Sequence, residues 1–172
     1  HQRYPNHQLV IRNLAWPADT PDLQPRPANF ADQDQHLTHA KADVIFAGYG
    51  FNESFAGEAG ISAFRESLTN YVQSIKSKAF NGKTAPKIVL VSPTACEDID
   101  GVPAATLNNA NVQRYVEVMK EVADEQRVGF ANAFEDTLKA AADSQADLTL
   151  NGVHLLKDGY EAFARSLYRQ TF

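Results

Sequence analysis

Four short apolar runs punctuate the chain: Leu9 to Ile11, Val44 to Ala47, Ile88 to Val91 and Val128 to Ala131. Runs of this length bounded by polar and turn-forming residues predict strands buried inside a sheet. Between the second and third runs, within Glu58 to Phe80, Ile61, Phe64, Leu68, Tyr71, Val72 and Ile75 recur at the spacing of one helical face. A second such stripe, Val112, Tyr115, Val116, Met119, Val122 and Ala123, separates the third and fourth runs. A third, Tyr160, Phe163, Ala164, Leu167 and Tyr168, lies near the C-terminus. Strands alternating with amphipathic helices predict a parallel sheet with helices on both faces, an α/β class.

Two connections are long for such a fold: Pro17 to Phe30, rich in Pro and Asp, and Pro93 to Asn109, which holds Cys96, an acidic cluster and a Gly-Val-Pro turn. Long loops on a parallel sheet carry function at the carboxyl ends of the strands. No repeat or change of composition divides the chain, so residues 1–172 are expected to form a single domain. A chain of 172 residues suffices for one α/β core, burying roughly two thirds of its unfolded surface.

Composition narrows the partners. The apolar fraction of 44% and charged fraction of 22% are those of a folded globular chain. A net charge of -5 disfavours nucleic acid and anionic membranes, whose phosphates are bound through clustered Lys and Arg. No apolar run approaches the roughly 20 residues needed to span a bilayer. Cys96 is the only cysteine, which excludes an internal disulfide and a CxxC redox pair. The opening at His1 lacks the pattern of a signal peptide, and the chain is expected to be a mature fragment or an excised domain.

Three segments place polar residues at the ends of the predicted elements, where packing alone does not ask for them. They are Arg12 to Thr20 after the first run, Gly48 to Ser54 after the second, and Leu150 to Leu155 before the last helix. Each has a structural reading as well. Asn52 suits a helix cap or turn, Asp19 and Thr20 suit a loop brace, and His154 suits a satisfied surface histidine. His36 and His39 lie three apart in an acidic, helical stretch with Asp32 and Asp34, where a solvated face is favoured over a metal site. Ser54, Ser92 and Thr94 lie near strand ends without an elbow motif for a nucleophile.

In this order and at these places, Asn13 to Thr20, Gly50 to Glu53 and Asn151 to His154 resemble three blocks of the SGNH (GDSL-type) hydrolase superfamily. The resemblance runs nearly end to end. It implies a three-layer α/β/α fold with a flavodoxin-like parallel sheet of order 2-1-3-4-5, in which the strands at Leu9 and Val44 flank a central strand. It implies a serine ester hydrolase acting on acyl or acetyl esters, carbohydrate esters among them, with no cofactor and no metal. Carried over residue by residue, His154 is the general base, Asn151 orients it, Asn52 gives its side-chain amide to the oxyanion, and Ala18 gives a backbone N–H. Trp16, Asp19, Tyr49, Phe51 and Glu53 surround the site in sequence and are expected to contact substrate.

The sequence departs from the family in three ways. The Gly-Asp-Ser block, whose serine is the nucleophile, is absent, and a segment upstream of His1 is expected to supply it together with the central strand. Ala18 stands where the family has glycine, adding a methyl group where backbone approaches substrate. Asn151 stands where the family has Asp, and an amide stabilises an imidazolium less than a carboxylate does. The phrase Phe46 to Gly60 is similar to a branch of the superfamily found within large exported bacterial proteins. The alternative expectation is therefore a catalytically inactive module that binds a glycan or protein partner.

Overall fold

The computed structural model describes residues 5–171; residues 1–4 and 172 of the expected domain lie outside the described range. In chain order the elements are α1 (Gln33–Ala40), β1 (Val44–Gly48), α2 (Phe51–Ser54), a 3-10 turn (Gly57–Gly60), α3 (Ile61–Lys76), β2 (Lys87–Val91), β3 (Asp98–Ile99), β4 (Val102–Pro103), α4 (Ala104–Gln126), β5 (Gly129–Ala131), α5 (Ala133–Asp143) and α6 (Lys157–Thr171). Three of the four apolar runs become strands of one parallel sheet in the order β1-β2-β5. The register runs from Val44 opposite Lys87 to Gly48 opposite Val91, and from Val89 opposite Gly129 to Val91 opposite Ala131.

Alternation along the strands sorts side chains to two faces. Ile45, Ala47, Ile88 and Leu90 join a core built with Phe64, Leu68, Val72 and Ile75 of α3 and Tyr115, Met119, Val122 and Ala123 of α4. Each such large side chain taken fully out of water contributes about 1.5–3 kcal/mol, which is why the stripes read in the sequence form the helices they do. On the opposite face, Val91, Ala131 and Ala133 pack with Val89 and with Phe163 and Leu167 of α6. The result is the expected α/β arrangement of a parallel sheet between two helical layers.

The ends of the helices follow local chemistry. Asp32 caps α1 by accepting the Gln35 N–H at 2.8 Å, while Gln35 Oε1 accepts the Asp32 N–H at 2.9 Å, a reciprocal capping box. Asn132 caps α5 by accepting the Glu135 N–H at 3.1 Å. The loop after β2 contains the short antiparallel pair β3–β4, which turns at Gly101 with φ 74°.

The first apolar run is a correction to the sequence reading. Leu9, Val10 and Ile11 do not form a strand, and they are 57%, 69% and 87% exposed. A strand is completed by a neighbour that accepts and donates along its backbone, and no described residues offer one at this place. The outward edge of β1 is likewise unpaired among the described residues. On the face of β1 away from α3 and α4, Val44 and Phe46 are 48% and 45% exposed.

Candidate active site

β1 and β2 end level with one another, Gly48 beside Val91, so the loops that follow them leave from one carboxyl edge. After β1, Gly50 takes φ 101°, a conformation open to glycine and strained for other residues, and this turns the chain into the single turn of α2. Glu53 folds back so that its Oε2 accepts the Gly50 N–H at 2.9 Å, while its Oε1 is buried with no hydrogen-bond partner. Burial raises the Glu53 carboxyl above its ordinary pKa. Asn52, the adjacent residue on α2, is exposed at this edge.

The aromatic residues next to Asn52 face inward. Phe51 packs against Ala95, Val112, Val116 and Phe134, with its ring edge-on to Phe55 at 5.3 Å. Tyr49 lies edge-on to Tyr71 at 5.2 Å, and its hydroxyl accepts from Gln24 Nε2 at 3.1 Å. Burial, with Tyr71 close by, raises the Tyr49 phenol and keeps it protonated. Tyr49, Phe51 and Glu53 thus hold the loop in shape from beneath.

The loop from Trp16 to Phe30 is tied by one guanidinium. Arg26 donates two parallel hydrogen bonds to Asp19, at 2.8 and 2.7 Å, in a pair whose side chains are only 11% and 14% exposed. The same guanidinium lies 4.7 Å from the centre of the Trp16 ring, which in turn packs on Phe30 at 5.3 Å. Phe30 meets the His36 ring of α1 at 5.2 Å. Ala18 sits within this braced loop at φ 66°, in the left-handed region. Thr20 Oγ1 donates to Asp22 at 2.8 Å.

Before α6, Thr149 and Leu155 form an isolated antiparallel bridge, closed by the Leu150 N–H donating to the His154 carbonyl at 2.8 Å. Within this turn Asn151 Oδ1 accepts the His154 N–H at 2.9 Å and the Val153 N–H at 3.3 Å, and it lies 3.0 Å from His154 Nδ1. An amide oxygen only accepts, so this network assigns the ring proton to Nδ1 and leaves the Nε2 lone pair free. His154 is exposed, with Nε2 available to take a proton. The buried Gly152, at φ 81°, gives the turn its tightness, because a side chain there would collide with Ala104 and the Glu97 carbonyl.

The structure therefore joins Asn151 to His154, and Trp16 to Asp19 through Arg26; Asn52 follows β1 on a different element, and among the described residues no hydrogen bond links it or Ala18 to His154. The two candidate serines on these loops are engaged. Ser54 Oγ donates to the Phe51 carbonyl at 2.6 Å, and Ser92 Oγ donates to the Pro93 carbonyl at 3.0 Å while accepting the Phe134 N–H at 2.9 Å. Both side chains are buried. Gln24, Arg26, Glu97 and Thr149 were not singled out in the sequence. Gln24 and the Glu97–Thr149 pair find partners far along the chain, and Arg26 finds Asp19 across one irregular loop, so no local motif carries them.

A parallel sheet between helical layers is the arrangement of the SGNH hydrolase fold. Solved structures sharing it include an acetylxylan esterase from Geobacillus stearothermophilus, with a TM-score of 0.58 and 18% identity over 82% of this chain and 68% of that one. A lipase/acylhydrolase from Enterococcus faecalis matches with a TM-score of 0.59 and 18% identity, over 79% of this chain and 64% of that one. A peptidoglycan O-acetylesterase matches with a TM-score of 0.62 and 21% identity over 81% of this chain, which spans 39% of that protein. Residues 1–162 match the GDSL-like Lipase/Acylhydrolase family, and the chain belongs to that family. No curated protein sequence matches it.

Proposed function

We propose that the protein hydrolyses acyl or acetyl esters, carbohydrate esters among them, with His154 as general base. The observation that carries this reading is the Asn151 turn, which holds Nδ1 of an exposed imidazole at 3.0 Å and leaves Nε2 for proton transfer. Catalytic variants of the Geobacillus acetylxylan esterase replace a serine, an aspartate and a histidine, the last two spaced as Asn151 and His154 are. In the proposed step a serine hydroxyl attacks the ester carbonyl as Nε2 takes its proton. The Asn52 amide and the Ala18 N–H stabilise the oxyanion, and His154 returns the proton to the departing alcohol. Water then releases the acid by the same route.

The serine is assigned to a strand outside residues 5–171 that pairs with the open edge of β1. Its pairing would satisfy that edge, and the segment carrying it would cover Val44 and Phe46. From the likeness of Phe46 to Gly60 to a branch found within large exported proteins, we place the protein outside the cytoplasm. No helix of the described residues is long and apolar enough to cross a membrane.

A second reading, an inactive module that binds a glycan or a protein, is favoured by Asn151, which orients the ring without a carboxylate's charge. Fluorophosphonate labelling of the folded natural protein, with mapping of the adduct by mass spectrometry, separates the two. Hydrolysis requires a stoichiometric serine adduct that is lost in His154→Ala. A folded protein that takes up no label overturns it in favour of binding.

A further inference from the structure

One carboxylate holds the histidine turn from behind. Glu97 lies on the loop after β2, and its two carboxylate oxygens each lie 3.0 Å from the donating Leu148 N–H. Oε2 also accepts the Thr149 N–H at 2.8 Å and the Thr149 hydroxyl at 2.7 Å. The Glu97 N–H donates to the Gly152 carbonyl at 2.9 Å. Thr149 Oγ1, held by the carboxylate, accepts the Gly152 N–H at 3.1 Å. Residues on both sides of the Asn151 turn therefore hang on one residue of a distant loop.

That residue is itself fixed. Asn109 of α4 brackets the preceding residue, its Oδ1 accepting the Cys96 N–H at 2.8 Å and its Nδ2 donating to the Cys96 carbonyl at 3.0 Å. Leu148, Thr149 and Gly152 are buried, so the donors that Glu97 serves have no ready water to replace it. Gly152 is already pressed against Ala104 and the Glu97 carbonyl, which leaves the turn no room to settle inward. The helix α4, the Glu97 loop and the turn form one hydrogen-bonded chain that ends at the imidazole.

We infer that Glu97 is a positioning residue for His154: by clamping Leu148 and Thr149 it sets the turn in which Asn151 fixes the imidazole as the Nδ1–H tautomer. This rests on the reading of His154 as an oriented base. A carboxylate that only stabilised the fold would change the resistance of the protein to unfolding and leave the tautomer of a folded molecule untouched.

The test is nitrogen NMR of the folded natural protein labelled with 15N-histidine, at a pH where the ring is neutral, with the His154 signals assigned by their loss in His154→Gln. The expected wild-type spectrum is that of Nδ1–H with Nε2 unprotonated. Glu97→Ala is expected to shift the ring toward the Nε2–H form that predominates in free histidine, and Glu97→Gln, which keeps one acceptor oxygen, to shift it less. A folded Glu97→Ala that retains the wild-type tautomer overturns the role of Glu97 and leaves His154 as the base. A wild-type ring with no preference for Nδ1–H overturns the orientation of His154, and this inference with it. If Glu97→Ala does not fold, Glu97→Gln and Thr149→Val decide: a shift in the same direction supports the inference, and no shift in either overturns it.

Discussion

At Ala18 the backbone sits at φ 66°, where a side chain costs about 1–2 kcal/mol and glycine costs nothing of that kind. Glycine also loosens the unfolded chain, at a cost of about 0.4–1 kcal/mol. Ala18→Gly is therefore expected to stabilise the protein by roughly 0.8 kcal/mol, the difference of those two effects, as a higher urea midpoint. Glu53 makes a prediction in pH. Its folded pKa is raised by burial, so between the ordinary glutamate pKa and the raised one the folded state binds more protons than the unfolded state, and stability falls as pH rises through that window. Glu53→Gln removes that slope. Urea midpoints of wild type and variant should run in parallel at pH values below the ordinary glutamate range and diverge above it, the variant gaining. The orientations of Glu53 and Phe51 were not legible in the sequence, because α2 is a single turn and has no repeating face to read. Asn151 and His154 were singled out together through the family resemblance alone, because a spacing of three residues recurs in many turns and does not by itself mark a base and its partner.

Among the elements, two of the three long stripes were read correctly; in α6 Phe163 and Leu167 pack on the sheet, whereas Tyr160 and Tyr168 at the ends of the stripe are exposed. α3 and α4 repeat buried positions over several turns, and their helical period outweighs any local ambiguity. α5 buries only Ala133, Phe134 and Thr137 near its start, too short a pattern to announce a helix. β3 and β4 are two residues each and owe their pairing to the turn at Gly101. Leu9 to Ile11 shows the opposite failure: it is as apolar as the runs that form strands, yet an apolar run becomes a strand only where another backbone lies beside it. The Thr149–Leu155 bridge carries a prediction of its own. Gly152→Ala adds a methyl group against Ala104 and the Glu97 carbonyl at a positive φ, and steric and conformational costs together make a loss of about 2–4 kcal/mol the expected result. Thermal unfolding checks the magnitude. His154 amide exchange checks that the turn is where the damage falls.

Across the molecule, the sheet is covered unevenly. Parallel sheets bury both faces and shield their edges, whereas among the described residues β1 has an unpaired edge and, in Val44 and Phe46, half-exposed apolar side chains. With Leu9, Val10 and Ile11 also exposed, residues 1–172 on their own are expected to self-associate, and Phe46→Lys is expected to move the population toward monomer in sedimentation velocity. An unchanged distribution would mean that the β1 side is not the sticky surface. The uneven cover also explains why the sequence led to the right fold class but the wrong first strand. Class follows from the order of periodic segments, which the chain carries itself, while the state of an edge depends on what lies next to it.

The chain has a single tryptophan, Trp16, and its ring touches both the Arg26 guanidinium and Phe30 on the braced loop that carries Ala18. All of the tryptophan emission of the chain therefore originates beside the proposed oxyanion donor. A ligand that displaces Arg26 or reshapes this loop will announce itself as a change in emission intensity or wavelength, without a label or a chromogenic ester. The protein carries its own optical probe, and that probe works equally well whether the bound molecule is cleaved or only held.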